Sequence, residues 1–296
     1  PKYIQDTMKE LLSRGDDIQF NIQDTVGNTV LHYAVVNNRL LEQLCEEDYI
    51  DLRIRNIVGS TAFEMADVGG KALLNDYQIR QNNELLNCLE DSDFPDIAFK
   101  YLNTGADPNA KDTEGYNALH LVANTIHPDY TRDPHRKVLD EILAGINDVN
   151  EPTTGDSATA LMITAKIPNS NILKKLMEMK NIKVNAQDQK GLTALHWAVI
   201  YRRHNNVRHL LSDDRINISL PDENGDTPLD VAIKKDRTTM IGLIQDYKKL
   251  QFEAATKRGR KTQREKQSDL KKKTESTVVG GKRKKELHEK FNKLRF

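Results

Sequence analysis

Apolar residues recur along this chain in short blocks with the spacing of one helical face. In each block a small polar residue stands third, and apolar residues at helical spacing follow it. The six blocks are GNTVLHYAV (27–35), GSTAFEMAD (59–67), GYNALHLVA (115–123), SATALMITA (157–165), GLTALHWAV (191–199) and GDTPLDVAI (225–233). The third residue is suited to an N-cap, because its side chain accepts a hydrogen bond from an unpaired backbone N–H. The pattern therefore predicts six short helices.

A second apolar segment follows most of these blocks. The segments are LLEQL (40–44), KVLDEIL (137–143), NILKKLM (171–177) and VRHLL (207–211). Gly-containing turns come before the blocks, at DTVG (24–27), DTEG (112–115), DQKG (188–191) and DENG (222–225). The sequence thus predicts one unit, a turn followed by two helices, that is used several times.

The spacing of the units indicates a stacked repeat. The third residues, from Thr29 to Thr227, are separated by 32, 56, 42, 34 and 34 positions, and a period of about 33 is typical of repeat proteins. The longest interval predicts a further unit without a capped start, because 95–115 supplies a second helix, a helix-ending Gly105 and the next turn. An insertion, TIHPDYTRDP (125–134), widens another unit.

The segments TPLDVA (227–232), TALHWA (193–198) and TGADPNAKDTEG (104–115) resemble ankyrin repeats. The resemblance implies an all-α solenoid of helix–turn–helix repeats joined by β-turn or hairpin loops. We assign the chain as follows: an N-terminal half-repeat at 1–24, about six ankyrin repeats at 25–237 that are irregular around 67–92 and 125–136, a capping helix at 238–256, and a basic helical tail at 257–296.

Three repeats depart from the family pattern, since Glu64, Met162 and Asp230 stand where the family has His. Repeats that have lost motif residues resemble those of ankyrin proteins that intracellular bacteria deliver into host cells. Eukaryotic members have degenerate repeats as well, so the sequence leaves the origin open.

The remaining motif histidines are His32, His120 and His196. A metal site would need ligands that converge on one point, whereas these histidines occur once per repeat along a stack. The resemblance implies that each hydrogen-bonds to backbone near the turns and joins neighbouring repeats. We therefore predict structural roles for them.

The composition gives no indication of catalysis. Cys45 and Cys88 lie among apolar residues and form no CxxC pair, which favours a reducing, intracellular compartment. The GG pairs at 69–70 and 280–281 fit no phosphate-binding loop. No apolar run approaches the about 20 residues of a transmembrane helix. We predict a non-enzymatic monomer without catalytic residues, metal, cofactor or transmembrane segment.

The family binds partner proteins on a concave side formed by the turns and first helices. Transferred to this sequence, that surface predicts contacts from residues beside the turns and after the small motif residues. The predicted partner-binding residues are Lys190, Leu192, Ile200, Tyr201, Tyr116, Asn124, Thr125, Val36 and Asn37. Aromatic side chains often dominate binding energy, so Ile200 and Tyr201 are the central pair.

The charge of the chain is unevenly distributed. Lys+Arg and Asp+Glu are equal at 44 each, yet 257–296 holds 16 Lys/Arg and 5 Asp/Glu. The basic clusters predict a nuclear import signal, or binding to nucleic acid or to another acidic surface. Residues 1–256 of the chain, which hold more Asp and Glu than Lys and Arg, are a further candidate for that acidic surface. The cluster residues are Lys257, Arg258, Arg260, Lys261, Lys282, Arg283, Lys284 and Lys285.

These observations predict a scaffold or adaptor that binds a partner protein through its concave ankyrin surface. Two alternatives stay open. One is a nucleus-directed regulator whose tail binds nucleic acid or chromatin. The other is the targeting region of a larger enzyme or effector. The predicted location is cytoplasmic or nuclear, within a host cell if the protein is a bacterial effector.

Overall fold

The computed structural model describes residues 20–90, 95–124, 133–168, 171–253 and 256. Its helices are α1 (Val30–Ala34), α2 (Asn38–Leu44), α3 (Ala62–Met65), α4 (Val68–Glu90), α5 (Pro95–Asn103), α6 (Ala118–Asn124), α7 (Asp133–Gly145), α8 (Ala160–Lys166), α9 (Asn171–Met177), α10 (Ala194–Ile200), α11 (His204–Leu211), α12 (Pro228–Lys234) and α13 (238–253). Within the described ranges there is no strand, only isolated bridges between Arg55 and Thr61 and between Pro152 and Thr159. The predicted all-α class is confirmed.

Two compact units divide the chain, Pro1–Met240 and Ile241–Phe296. All the repeats lie in the first unit. Of the second unit, 241–253 and 256 are described, and they are helical. The capping role of 238–256 stays a prediction, as do the other domain boundaries. None of the described helices is both long and apolar enough to cross a bilayer.

The six predicted short helices are α1, α3, α6, α8, α10 and α12, which we call the first helices. Each of α1, α6, α8 and α10 packs on the helix that follows it and on the next first helix of the stack. The apolar positions that predicted these helices, such as Leu31, Leu119, Leu161 and Leu195, are buried between them. Hydrophobic burial thus runs continuously from one repeat to the next.

The predicted N-caps form at the first helices. Side chains of Thr61, Thr159, Thr193 and Thr227 accept the N–H three residues on, and the side chain of Asn117 does the same. At α1, Thr29 and His32 form a capping box, and the N–H of His32 also donates to the carbonyl of Thr29, at 3.1 Å.

Five of the six turns before the first helices are held by one side chain each. In each of these five a carboxylate or amide oxygen accepts the N–H groups two and four residues on, in a pattern that favours a tight turn. These residues are Asp24, Asn56, Asp112, Asp188 and Asp222. Gly115 in one turn has φ +82° and lies so close to the next repeat that a Cβ there would be 2.7 Å from the N of Thr154. Only glycine fits that position.

The region around 67–92, which the repeat pattern left irregular, is mostly one helix. The 23-residue α4 packs against α2, α3, α5 and α6. Its buried residues, including Leu74, Tyr77, Gln81, Leu85 and Leu89, recur every three or four positions. One long helix therefore lies where the repeat pattern predicts two short helices and a turn.

Neighbouring repeats are also joined by asparagine side chains. Each such amide donates to one backbone carbonyl of the next repeat and accepts the N–H two residues beyond it. Asn21, Asn109, Asn150 and Asn185 all make this pair of bonds. On α4 two residues together make the same pair of bonds, since Gln78 donates to the carbonyl of Gly105 and Asn82 accepts the N–H of Asp107. Helix α4 thus keeps the inter-repeat contact without the repeat motif.

Candidate protein-binding surface

The motif histidines bond to the turn of the following repeat. The N–H of Thr193 donates to Nδ1 of His196 at 3.0 Å, so the ring proton is on Nε2, which donates to the carbonyl of Asp226 at 3.1 Å. His32 and His120 bond in the same way to the carbonyls of Ser60 and Glu151, at 3.1 and 2.9 Å. All three rings are buried. This geometry is that of structural residues.

The residues that replace histidine lie against the backbone N–H of the capping residue, as the histidine ring does. An oxygen of Glu64 accepts the N–H of Thr61, an oxygen of Asp230 accepts that of Thr227, and the sulfur of Met162 lies 3.5 Å from the N of Thr159. After α8 a connection to the next repeat comes from another helix. Asn206 of α11, fully buried, donates its amide to carbonyls at the end of α8.

The histidines should make stability depend on pH. Burial lowers the pKa of His120, His196 and, less deeply buried, His209 below the usual 6.5. Because the unfolded chain binds these protons more readily, the stabilisation is fully present above about pH 6.5 and is lost as the pH falls below it, by at most about 1.4 kcal/mol per pH unit for each group. We expect the urea midpoint to fall from pH 7.5 to pH 5.5.

The matched control for this pH effect is His196→Met, which removes one titrating ring. Its midpoint should fall less over the same interval. Carboxylates such as Asp213, whose pKa is held low by its hydrogen bond to Arg215, act only below about pH 4 and do not interfere. Equal slopes for the two proteins would show that His196 is not the group that titrates.

One side of the first unit is formed by the turn tips and by one face of the first helices. We call it the first-helix surface. Counting from the capping residue of each repeat, three positions recur on it. The turn tips, three residues before the cap, are Val26, Val58, Glu114, Asp156, Lys190 and Asn224. Four residues after the cap stand Tyr33, Met65, Leu121, Ile163, Trp197 and Val231, of which Tyr33 and Met65 are exposed. Seven residues after the cap stand Val36, Val68, Asn124, Lys166, Ile200 and Lys234.

The structure places the predicted central pair at the end of α10. Tyr201 is 46% exposed, and its ring centroid lies 5.9 Å from that of Trp197, at an interplanar angle of 32°. Ile200 and Leu192 are half-buried, and Lys190 is exposed on the preceding turn. These residues lie in one repeat and leave apolar atoms accessible.

The remaining predicted residues are spread over other repeats. Tyr116, half-buried against His120, belongs to the α6 repeat, and α8 lies between α6 and α10. Asn124 and Val36 are exposed. Asn37 is an N-cap, because its side chain accepts the N–H groups of Arg39 and Leu40. Thr125 and Tyr130 of the insertion lie outside the described residues, as do the eight basic residues of the tail.

The first two repeats expose several apolar side chains, of which the sequence analysis named only Val36. Val36 is 82% exposed, and Val58 and Val68 are more exposed still. Tyr33 and Met65, at the position of Trp197, are also exposed, while the hydroxyl of Tyr33 donates to Asp24. Register could have found Val58 and Val68, since they stand at the positions that Lys190 and Ile200 hold in the α10 repeat.

Cys45 is not poised for chemistry. Cys45 and Cys88 form no disulfide and are half-buried, and burial raises the pKa of the Cys45 thiol to about 11. A thiol with such a pKa is a poor nucleophile at neutral pH. Among the residues that the structure describes, no three histidine, cysteine or acidic side chains are grouped to bind a metal.

Comparison with known proteins agrees with this geometry. A family model described as ankyrin repeats (3 copies) matches residues 130–222 and 161–253. Palmitoyltransferase AKR1 from Lachancea kluyveri is 26% identical over 211 residues, which is 70% of this chain and 25% of that protein. The mouse nuclear factor NF-kappa-B p105 subunit is 27% identical over 76% of the chain and 21% of its own length. Human inversin is 28% identical over 57% of the chain and 15% of its own length. The chain thus spans a quarter or less of each of these relatives.

Proposed function

Because this chain is an ankyrin-repeat protein, we propose that it is a non-enzymatic adaptor that holds a partner protein on the first-helix surface. One observation carries the proposal. Apolar side chains stay exposed on this surface at Val36 and Val68, which hold the same position in their repeats, and at Tyr201, which stands one position further on in its repeat, although the other sides of these helices are packed. Exposed apolar side chains on a rigid support are typical of a protein-binding surface.

The scaffold supports this proposal because hydrogen bonds hold the helices and turns that form the first-helix surface. Capping side chains, turn carboxylates and histidines fix the first helices with respect to the turns. A partner that binds there orders few side chains, which lowers the entropic cost of association.

The paired substitution Ile200→Ala with Tyr201→Ala tests the surface. It should weaken partner capture about tenfold or more, since aromatic anchors are each worth about 2 kcal/mol or more when buried by a partner. The measurement is quantitative pull-down from lysate after crosslinking, with and without nuclease. Thermal unfolding of the variant should stay within a few degrees of the original, because Tyr201 is exposed.

Two controls accompany that experiment. Arg208→Ala changes an exposed residue of α11, a second helix, and should capture as much partner as the original chain. A chain ending at Ala255 should also retain the partner. If binding is lost only with the truncated chain, or only after nuclease treatment, the tail at 257–296 carries the binding function. A large drop in melting temperature for the paired variant would show that Ile200 and Tyr201 are core residues.

A second candidate is that these repeats are the targeting region of a larger enzyme. It is favoured by one finding, that a relative named as a palmitoyltransferase aligns with this chain over 25% of its length. The full-length gene product decides between the candidates. An additional catalytic domain would favour the second candidate if substitution of Ile200 and Tyr201 lowered its activity on protein substrates and left its activity on other substrates unchanged. The nuclear role rests on the basic tail, and nuclease-sensitive capture through 257–296 is its test.

A further inference from the structure

A lysine and two aromatic rings meet at the centre of the first-helix surface. Lys166, at the end of α8, has its Nζ 5.8 Å from the centroid of the Trp197 ring of α10. Tyr201 continues the aromatic group, with its ring centroid 5.9 Å from that of Trp197. Lys166 occupies the same helix-end position in its repeat that Ile200 occupies in the next one. Adjacent repeats thus present an ammonium group beside an apolar pair.

Among the residues that the structure describes, the ammonium of Lys166 has no ionic partner. It is half-buried, and burial lowers its pKa, while Asp156 acts on it only at longer range. Three other described lysines pair with carboxylates, Lys111 with Glu151, Lys175 with Asp140 and Lys234 with Asp226. No described carboxylate lies within ion-pair distance of Lys166. A partly desolvated cation without a counter-charge is unfavourable unless a ligand supplies one.

The nearest buried carboxylate is already engaged. One oxygen of Asp188 accepts the indole N–H of Trp197 at 2.8 Å, and the other accepts the N–H groups of Lys190 and Leu192. These bonds fix the indole plane and hold the turn that carries the exposed side chain of Lys190 next to it. Asp188 therefore shapes the site but is not the missing counter-ion.

We propose that the partner docks here through a short acidic–apolar segment, with a carboxylate on Lys166 and an adjacent aliphatic or aromatic side chain on Ile200 and Tyr201. This inference rests on the proposed function and names the chemistry of its partner. A carboxylate reaching Lys166 forms a charge-assisted hydrogen bond in a partly desolvated place, where such bonds are strong. The neighbouring apolar side chain covers the exposed face of Tyr201.

A nucleic acid also combines flat rings with negative charge, but the surface favours a peptide. The turn tips before Lys190 carry Glu114 and Asp156, both exposed. A nucleic-acid strand brings a phosphate every few ångströms, and these carboxylates would repel it. A peptide that carries one carboxylate beside an apolar residue avoids that repulsion.

The test uses the intact 296-residue chain and a phage-displayed library of random 12-residue peptides. Enriched peptides are synthesised without Trp, and their affinity is measured from the fluorescence of Trp197, the only tryptophan of the chain. We expect enrichment of Asp or Glu next to Leu, Ile or Phe. Lys166→Gln should weaken these peptides about tenfold, and Lys166→Arg should restore most of the affinity. Lys175→Gln, which removes one charge from α9, should have no effect.

Other outcomes separate this inference from the proposed function. Peptides that need Ile200 and Tyr201 but lack acidic residues, or that bind Lys166→Gln unchanged, would overturn the inference and leave the surface in place. Enriched peptides that respond to none of these substitutions, or no enrichment at all, would count against both. A single-stranded oligo-dT 20-mer bound through Lys166, with no acidic peptide enriched, would replace the inference with nucleic-acid recognition.

Discussion

His196→Ala is expected to lower the free energy of unfolding by about 3 kcal/mol. The substitution removes the bond from Nε2 to the carbonyl of Asp226 and leaves the buried N–H of Thr193 without its acceptor. It also empties the space of a fully buried ring. Urea denaturation followed by Trp197 fluorescence measures the loss. An unchanged midpoint would contradict the structural role of this histidine.

The chain itself supplies the control for that result. Met162 occupies the same position in the α8 repeat, where its sulfur lies near the N of Thr159. His196→Met therefore fills most of the space and keeps a weak acceptor, but loses the bond to the next repeat. We expect it to cost about 1 kcal/mol, which is the net worth of one inter-repeat hydrogen bond. Equal losses for His196→Ala and His196→Met would assign the whole effect to the bond to Asp226.

The second large effect is expected from Asn206→Ala. Its Nδ2 lies 3.2, 3.1 and 2.7 Å from the carbonyl oxygens of Thr164, Ala165 and Ile167, at the end of α8. Removing the amide leaves these carbonyls with fewer donors in a buried place. The predicted loss is about 3 kcal/mol, because each unsatisfied buried group costs about 1–3 kcal/mol. Thermal and urea unfolding at pH 7.5 measure it.

Asn206 matters because the interface between the α8 and α10 repeats has no histidine bond. Arg203 strengthens the same interface by donating its Nε to the carbonyl of Lys166 at 2.5 Å. If Asn206 replaces the missing histidine, Met162→His in the Asn206→Ala background should recover part of the lost stability, about 1 kcal/mol. Arg208→Ala, on the same helix, should be neutral. A neutral Asn206→Ala would show that Ile167 and its neighbours find other donors.

Elements that repeat were predictable from the sequence, because several imperfect copies make one pattern clear. The turn, the cap and the short helix after it follow from residues within about ten positions of one another. The bond of His196 to the next repeat was implied by the resemblance to ankyrin repeats, while its recurrence along the stack argued only against a metal site.

What the sequence did not predict depends on contacts between distant residues. Asn206 is about 40 residues from the carbonyls that it meets, and nothing in its local sequence distinguishes it from other helix asparagines. Helix α4 has apolar residues at helical spacing but no repeat motif, so the sequence did not predict that one helix runs unbroken from 68 to 90. Lys166 lies in a repeat without histidine, and its position beside Trp197 depends on how two repeats stack.

Exposure was the least predictable property of the candidate site. Tyr33 and Trp197 hold the same position in their repeats, yet Tyr33 is 41% exposed and Trp197 only 9%. The difference comes from neighbours, because Trp197 is enclosed by Asp188, Lys166 and Tyr201. A pattern of residue types gives the position of a side chain on the repeat. The packing of the adjacent repeat decides how much of it a partner can reach.

Site-specific photo-crosslinking in lysate tests the central proposal most directly. A benzophenone amino acid replaces Tyr201 on the first-helix surface in one protein and Arg208 on α11 in another, and adducts are separated with and without nuclease. The account predicts discrete protein adducts from position 201 that resist nuclease and are absent from position 208. Equal adducts from both positions, or adducts that disappear with nuclease, would contradict the proposal that this surface holds a partner protein.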